Sequence, residues 1–157
     1  MNLLDRPEYQ FLKTDPCLGK RLIFLTYGGS YAYGTNVEGS DIDLRGCALS
    51  RKADLLGMGN FEQVVDTETD TTIYAFNKLL ALLIRCSPNI IELLGCKPEH
   101  YLVLTPIGKQ LLDQRKMFLS RRAAVSFGGY ANQQLRRLEN ALARGSYPAE
   151  AKERHIL

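Results

Sequence analysis

The chain has 157 residues, 45 % of them hydrophobic and 24 % charged, with a net charge of +3 at neutral pH. This length and composition predict one folded domain with its own core, and they exclude a disordered or low-complexity chain. The longest purely apolar run, residues 79–84, is too short to cross a bilayer. No signal peptide is recognisable, so we expect a cytoplasmic protein with no membrane partner.

The cysteines show no metal-binding pattern. None of them forms a CxxC pair, and no histidine stands at ligand spacing from Cys17, Cys47, Cys86 or Cys96. This spacing argues against zinc and predicts reduced thiols.

Charge is unevenly distributed along the chain. Residues 1–100 carry 10 Lys/Arg and 13 Asp/Glu, a net −3, whereas residues 101–157 carry 10 Lys/Arg and 4 Asp/Glu, a net +6. Arginines in the second part come in the pairs Arg121-Arg122 and Arg136-Arg137. A basic surface of this kind faces a polyanion or is a solvated helix face.

The first predicted elements are strands on either side of a glycine turn. Residues 22–27 form an unbroken β-prone run, which predicts a buried strand ending at Gly28-Gly29. A short helix over residues 30–34 follows, with Ser30 as its N-cap. A second strand is expected over residues 40–48, next to the first, and a third over residues 70–76. Residues 50–65 predict a loop with one helical turn.

Helices dominate the rest of the chain. We predict them over residues 77–86, over 90–95 with Asn89 as the cap, over 106–118 after the Thr105-Pro106 start signal, and over 120–144. Gly128-Gly129 predicts a bend or break in the last one. The order of elements predicts an α+β fold: a small mixed sheet with helices against one face and C-terminal helices. We assign residues 1–100 to the core and residues 101–157 to a basic helical part packed on it.

Two acids alternate in the second predicted strand. In a strand, residues two apart face the same side, so Asp41 and Asp43 would lie side by side with Cα atoms roughly 6.6 Å apart. Carboxylates this close repel unless a cation lies between them, which predicts a divalent-metal site. The alternative is a strand edge with solvated acids.

The glycine turn precedes these acids in the chain. Gly28-Gly29 lets a ligand approach the backbone, and Ser30 adds a hydroxyl beside the free N–H groups of a helix start. A nucleoside triphosphate could place its phosphates on this turn and its Mg²⁺ on the acids, and a third carboxylate would complete a two-metal site. An ordinary strand-to-helix turn is the alternative.

Taken together, these residues resemble a known superfamily. Gly-Ser followed after about ten residues by Asp-x-Asp is the signature of nucleotidyltransferases related to DNA polymerase beta. The strings GSYAYGT, SDIDLRG, DTTIYAFNKLL, SPNIIELL and SFGGYANQQLRRL are similar to a branch of predicted nucleotidyltransferases of bacteria and phages associated with RNA repair. The resemblance covers residues 22–138 and implies a polymerase beta-like palm as the fold of the core.

The resemblance also implies roles for individual residues. Asp41 and Asp43 would be catalytic metal ligands for Mg²⁺ or Mn²⁺, with two ions expected, and Gly29 and Ser30 would hold the triphosphate. Asp70 would be the third acid, with Asp66 and Glu68 as alternatives. Lys78 would reach a phosphate, and Arg136 and Arg137 would contact nucleic acid.

The implied activity is transfer of a nucleoside monophosphate from a nucleoside triphosphate to an acceptor hydroxyl on RNA, with release of pyrophosphate. Branch members usually continue with further helices, so the chain is either a compact version or a fragment. Rival hypotheses are a sugar transferase and a nucleotidyltransferase-like antitoxin or binding module that contacts or modifies a protein. The nucleotide, the acceptor and the oligomeric state stay open.

Overall fold

A mixed β-sheet forms the centre of the protein. The computed structural model describes residues 3–57 and 59–143. Its strands are β1 (Leu22–Tyr27), β2 (Leu44–Ala48), β3 (Gln63–Asp66), β4 (Thr71–Ala75) and β5 (Tyr101–Leu104). They lie in the order β3-β4-β2-β1-β5; β2 and β4 are parallel, and the other neighbouring pairs are antiparallel. The predicted α+β fold with a small mixed sheet is confirmed.

Helices connect and cover the strands. They are α1 (Phe11–Thr14), α2 (Gly29–Tyr33), α3 (Lys52–Leu56), α4 (Phe76–Ile84), α5 (Pro88–Leu93), α6 (Pro106–Asp113) and α7 (Arg121–Ala143). Short 3₁₀ turns lie at Leu3–Asp5, Pro7–Tyr9, Gly19–Arg21, Pro98–His100 and Arg115–Phe118. Over the part of the chain that the structure describes, no helix combines the length and apolar character needed to span a bilayer.

Both faces of the sheet are covered. On one face, residues of α4, α5 and α6 pack against Phe24 and Cys47. On the other face, Tyr9, Leu12 and Leu18 from the N-terminal segment pack against the alternate residues of the strands. Each buried side chain of this size stabilises the fold by about 1.5–3 kcal/mol. The face that we expected to lie free of helices is therefore covered by residues from Leu3 to Leu18.

Strand boundaries depart from the predictions at the functional end of the sheet. Pairing of β2 with β1 begins at Leu44, so Asp41 and Asp43 precede the strand rather than belonging to it. The prediction that β1 and β2 are neighbours is confirmed. Strands β3 and β5 were not predicted, because each has only four residues and its sequence does not alternate between apolar and polar residues. Both lie at sheet edges, where tertiary pairing rather than propensity determines the conformation.

The predicted division at residue 100 falls immediately before β5. This strand pairs with β1, so residues 101–104 lie in the same sheet as the core. Helix α6 then packs against β1. The part of the chain that is purely helical therefore begins later than the predicted boundary.

Helix ends follow local capping chemistry only in part. The Thr105 hydroxyl accepts a hydrogen bond from the Gly108 N–H, as a cap should. Helix α6 ends at Asp113, earlier than predicted, and a 3₁₀ turn continues to Phe118. Ser30 was predicted as the N-cap of α2, but Gly28 occupies that position and Ser30 lies inside the helix.

Two further helix predictions were inaccurate. Ser87, not Asn89, occupies the N-cap position of α5, without a hydrogen bond from its side chain, and Pro88 takes the first helical position. Helix α7 continues through Gly128-Gly129 without a break. A Cβ at either glycine would have no heavy atom within 4 Å, so no neighbour forces a bend there.

Candidate active site

The glycine turn after β1 lies against Asp43. The Gly28 N–H donates a hydrogen bond of 2.8 Å to the Asp43 carbonyl. Gly29 has φ +50°, and a Cβ at this position would lie 1.8 Å from Asp43 Oδ2. Only glycine suits both the left-handed backbone and the space that the carboxylate occupies. The glycine of the Gly-Ser pair therefore makes room for the second acid of the Asp-x-Asp pair.

Asp43 and Asp70 are brought together by strand register. Each immediately precedes a strand, and the first residues of those strands, Leu44 and Thr71, are partners in the parallel pair of β2 and β4. The Leu44 N–H donates to the Asp70 carbonyl at 3.2 Å. Asp70 has φ +42°, an uncommon conformation for a residue other than glycine. This strained backbone turns Asp70 toward Asp43 at the start of β4.

The carboxyl groups of Asp43 and Asp70 lie close enough to form a hydrogen bond. Their hydrogen bond, followed by burial, raises the pKa of Asp43 to about 6. The same hydrogen bond lowers the pKa of Asp70. Two carboxylates in such close contact repel each other, and a proton or a nearby cation relieves that repulsion.

Arg45 supplies positive charge at this pair. Its Nη2 lies 3.1 Å from Asp70 Oδ1 and 3.8 Å from Asp43 Oδ1. Its Nη1 donates to the Leu44 carbonyl at 2.9 Å and also to the Asp70 carbonyl. Arg45 follows Asp43 by two residues, a spacing that could have drawn attention to it, yet it was not among the predicted site residues.

A groove of about 540 Å³ opens beside the glycine turn. It is bounded by the turn and α2, by Arg45 and Tyr74 on the sheet, by α5 and by Tyr130 of α7. The Tyr33 hydroxyl donates to Glu92 Oε2 at 2.5 Å and so joins α2 to α5 at the rim. Burial, and then this hydrogen bond, raise the pKa of Tyr33. Tyr31 instead stacks on Tyr27 with ring centroids 5.6 Å apart.

A second cleft, of about 790 Å³, lies beside Asp41 and Asp70. Its lining includes Glu8, Asp41, Glu68 and Asp70. Asp41 is exposed here and, like Asp43, it precedes β2. The strand prediction placed residues 41–43 in β2, whereas β2 begins at Leu44, so the side-by-side placement of Asp41 and Asp43 stays a prediction.

Among the alternatives for the third acid, Asp70 is the one in contact with Asp43. Asp66 instead accepts hydrogen bonds from the Thr69 N–H at 3.0 Å and from the Thr69 hydroxyl at 2.6 Å, so it shapes the turn before β4. Glu68 lines the second cleft at a position exposed to solvent.

The cationic residues that were predicted for the site are not the partners of Asp43 and Asp70. Lys78 is in α4, beyond the opposite end of β4 from Asp70, and binds Glu62 at 2.9 Å. Arg136 and Arg137 are exposed on α7. That helix packs against α5, and its Tyr130 reaches the groove. The structure therefore connects α7 with the groove but leaves Lys78 away from the acids.

The acids suit a hard divalent cation. Mg²⁺ and Mn²⁺ prefer carboxylate oxygens, and the Asp43–Asp70 pair already has one cation beside it, the guanidinium of Arg45. Over residues 3–57 and 59–143, no group of three or more His, Cys, Asp or Glu side chains is close enough to form a ready metal cluster. The donor chemistry fits, and Asp41, two residues before Asp43, stays a predicted third ligand.

Comparison with known proteins gave one match. The model of a family described as the RNA repair pathway DNA polymerase beta family matches residues 7–151. Searches of curated proteins and of solved structures found no match. The matched range includes the glycine turn, all the candidate acids, Arg45 and the arginines of α7.

Proposed function

The chain belongs to the RNA repair pathway DNA polymerase beta family, and we propose that it transfers a nucleoside monophosphate from a nucleoside triphosphate to an acceptor hydroxyl, with release of pyrophosphate. The family supports a nucleotidyltransferase-like function. The proposed substrate, acceptor and metal go beyond that statement and rest on the geometry of the site.

One observation carries the proposal: Asp43 lies against the bare Cα of Gly29 while its carboxyl group meets that of Asp70. This contact places a backbone turn with no obstructing Cβ next to two acids. A triphosphate bound along Gly29 and Ser30 would therefore have its phosphates beside the carboxylates. A simple structural turn would not require the acids to be there.

The proposed metal is Mg²⁺ or Mn²⁺, as two ions, held by Asp41, Asp43 and Asp70. When bound, it would neutralise charge on the triphosphate and favour ionisation of the attacking hydroxyl. The chain's own residues would bind and orient the nucleoside triphosphate. Gly29 and Ser30 would hold the phosphate chain, and the groove toward α5 would receive the nucleoside.

RNA is the proposed acceptor. The support is the basic helix α7, which carries Arg136 and Arg137 on exposed positions and contributes Tyr130 to the groove. An acceptor held along α7 would therefore be close to the site of transfer. Phosphate contacts of this kind orient a nucleic acid without reading its sequence.

The test is transfer of label from each of the four α-labelled nucleoside triphosphates to an RNA oligonucleotide in the presence of Mg²⁺. Asp41→Asn combined with Asp43→Asn should abolish transfer while leaving the fold intact. Asp54→Asn is a matched control, because this acid of α3 binds the N-cap residue Arg51 and takes no part in the site. Transfer by the double variant at the wild-type rate would refute the assignment.

A further inference from the structure

The guanidinium of Arg45 has two halves with different partners. Nη1 donates to two backbone carbonyls, those of Leu44 and Asp70. Nη2 faces only carboxylates, at 3.1 Å from Asp70 and 3.8 Å from Asp43. Nη1 is therefore held by main-chain carbonyls, whereas Nη2 is held by the carboxylates that a metal ion would bind.

Arg45 also borders the groove beside the glycine turn. Its Cγ lies 3.1 Å from the place where a Cβ of Gly28 would be, so its stem passes directly over the turn. The side chain is 29 % exposed. The guanidinium thus lies between the acid pair and the surface along which a phosphate chain would bind.

We propose that Arg45 is a phosphate-binding residue whose guanidinium takes the place of the metal ion at Asp43 and Asp70 until the metal arrives. This inference rests on the proposed function. When a divalent cation takes the two carboxylates, Nη2 loses its partners while Nη1 keeps its carbonyls. The released N–H donors then bind phosphate oxygens in the groove, without movement of the backbone.

The chemistry favours this exchange. Arginine keeps its charge and presents five N–H donors in a planar fork, which suits phosphate as well as carboxylate. A metal ion and a guanidinium on the same two carboxylates repel each other, so they compete. Arg45 should therefore oppose metal binding when no phosphate is present and support phosphate binding when metal is present.

These opposite effects define the experiment. In a first titration, Mn²⁺ alone is added to the protein, and free Mn²⁺ is measured by electron paramagnetic resonance. In a second titration, inorganic tripolyphosphate is added at saturating Mn²⁺, and its binding is measured by calorimetry. For Arg45→Gln we expect Mn²⁺ to bind about fivefold more tightly, because a competing charge is gone. We expect tripolyphosphate to bind about tenfold more weakly, because a charge-assisted bond is lost.

Two further variants give the comparison its controls. Arg45→Lys keeps the charge but not the fork, so Mn²⁺ affinity should stay within about twofold of wild type while tripolyphosphate affinity falls to an intermediate value. Arg51→Gln removes an arginine that binds Asp54 away from the site and should change neither affinity. Circular dichroism verifies that each variant is folded.

The outcomes separate the two proposals. If wild type binds Mn²⁺ and tripolyphosphate but Arg45→Gln binds Mn²⁺ more weakly or tripolyphosphate unchanged, Arg45 only supports the structure and the inference is wrong, while the proposed function stands. An unfolded Arg45→Gln with Arg45→Lys unchanged in tripolyphosphate affinity overturns it equally. If wild type binds neither probe at millimolar concentration, the proposed function fails and the inference fails with it.

Discussion

At the scale of single residues, Gly29 is the position on which the acid geometry depends most directly. A Cβ there would lie 1.8 Å from Asp43 Oδ2, and the backbone has φ +50°. We expect Gly29→Ala to lower the free energy of unfolding by about 3 kcal/mol or more, through a steric clash added to backbone strain. Metal binding should be lost as well, because Asp43 must move. Urea denaturation and Mn²⁺ titration measure the two effects.

Gly34 is the matched control for this substitution. It also has a left-handed backbone, with φ +71°, but a Cβ there would meet nothing within 4 Å. Gly34→Ala should therefore cost only the backbone term, about 1–2 kcal/mol, with unchanged Mn²⁺ affinity. Equal losses of stability in the two variants would show that the clash of an added Cβ with Asp43 does not contribute to the free energy of unfolding.

The raised pKa of Asp43 makes the stability of the metal-free protein sensitive to pH. Its pKa is raised from 3.8 to about 6. Between pH 3.8 and pH 6, Asp43 is therefore protonated to a greater extent in the folded protein than in the unfolded chain. Stability from this group is complete below about pH 4 and is lost as the pH rises toward about 6. Asp70, whose pKa is lowered, contributes in the opposite sense and only below pH 4.

We therefore expect the metal-free protein to lose about 1–2 kcal/mol of stability between pH 4 and pH 6.5, a value reduced for partial exposure to solvent. Asp43→Asn should lack this loss, since its side chain does not titrate. Urea denaturation across this pH range, with chelator present, compares the two proteins. The same slope in both would mean that another group holds the proton.

At the scale of secondary-structure elements, the sequence predicts what local signals determine. Strand β1 and the start of α6 follow from an apolar run and from the Thr-Pro pair, and both are confirmed. The contact of Asp43 with Asp70 is different, because it depends on the parallel register of β2 and β4. No local pattern specifies which residues of two distant strands become partners. The predicted start of the second strand at residue 40 was wrong, because β2 begins only at Leu44.

The cap of α6 offers a test at this scale. The Thr105 hydroxyl accepts from the Gly108 N–H at 3.3 Å and donates to the Ile23 carbonyl at 3.0 Å, which fastens α6 to β1. Thr105→Ala should lower the free energy of unfolding by about 1–2 kcal/mol. Thr105→Ser should restore most of it, because the hydroxyl remains. Thermal unfolding of the three proteins decides this, and a serine variant as unstable as alanine would assign the effect to the lost methyl group.

At the scale of the whole molecule, the charge asymmetry leads to a prediction about RNA. The arginines of α7 are exposed, so they are available to phosphate groups. Each phosphate neutralised on a single strand lowers log K by about 0.7 per decade of salt. Arg136→Gln combined with Arg137→Gln should therefore flatten the salt dependence of RNA binding by about 1.4. Tripolyphosphate binding at saturating Mn²⁺ should stay unchanged.

Fluorescence anisotropy with a labelled RNA between 50 and 200 mM salt measures this slope. Lys109→Gln is the control, because Lys109 already binds Asp113 on α6 at 2.6 Å. An unchanged slope in the double arginine variant would place the RNA elsewhere. Absence of RNA binding by the wild-type protein at low salt would instead favour a protein or small-molecule acceptor.

The parallel register of β2 and β4 also determines where the chain tolerates insertions. Asp43 and Asp70 immediately precede a matched pair of residues, Leu44 and Thr71, so their separation does not depend on the length of the connection between the strands. A glycine inserted between Gly59 and Asn60, which are both exposed, should leave Mn²⁺ affinity unchanged. The same glycine inserted between Asp70 and Thr71 moves the acid by about 3.3 Å along the chain and turns it away, so it should abolish binding. Metal binding should therefore tolerate a change in the length of the connecting segment but not an insertion at the start of β2 or β4.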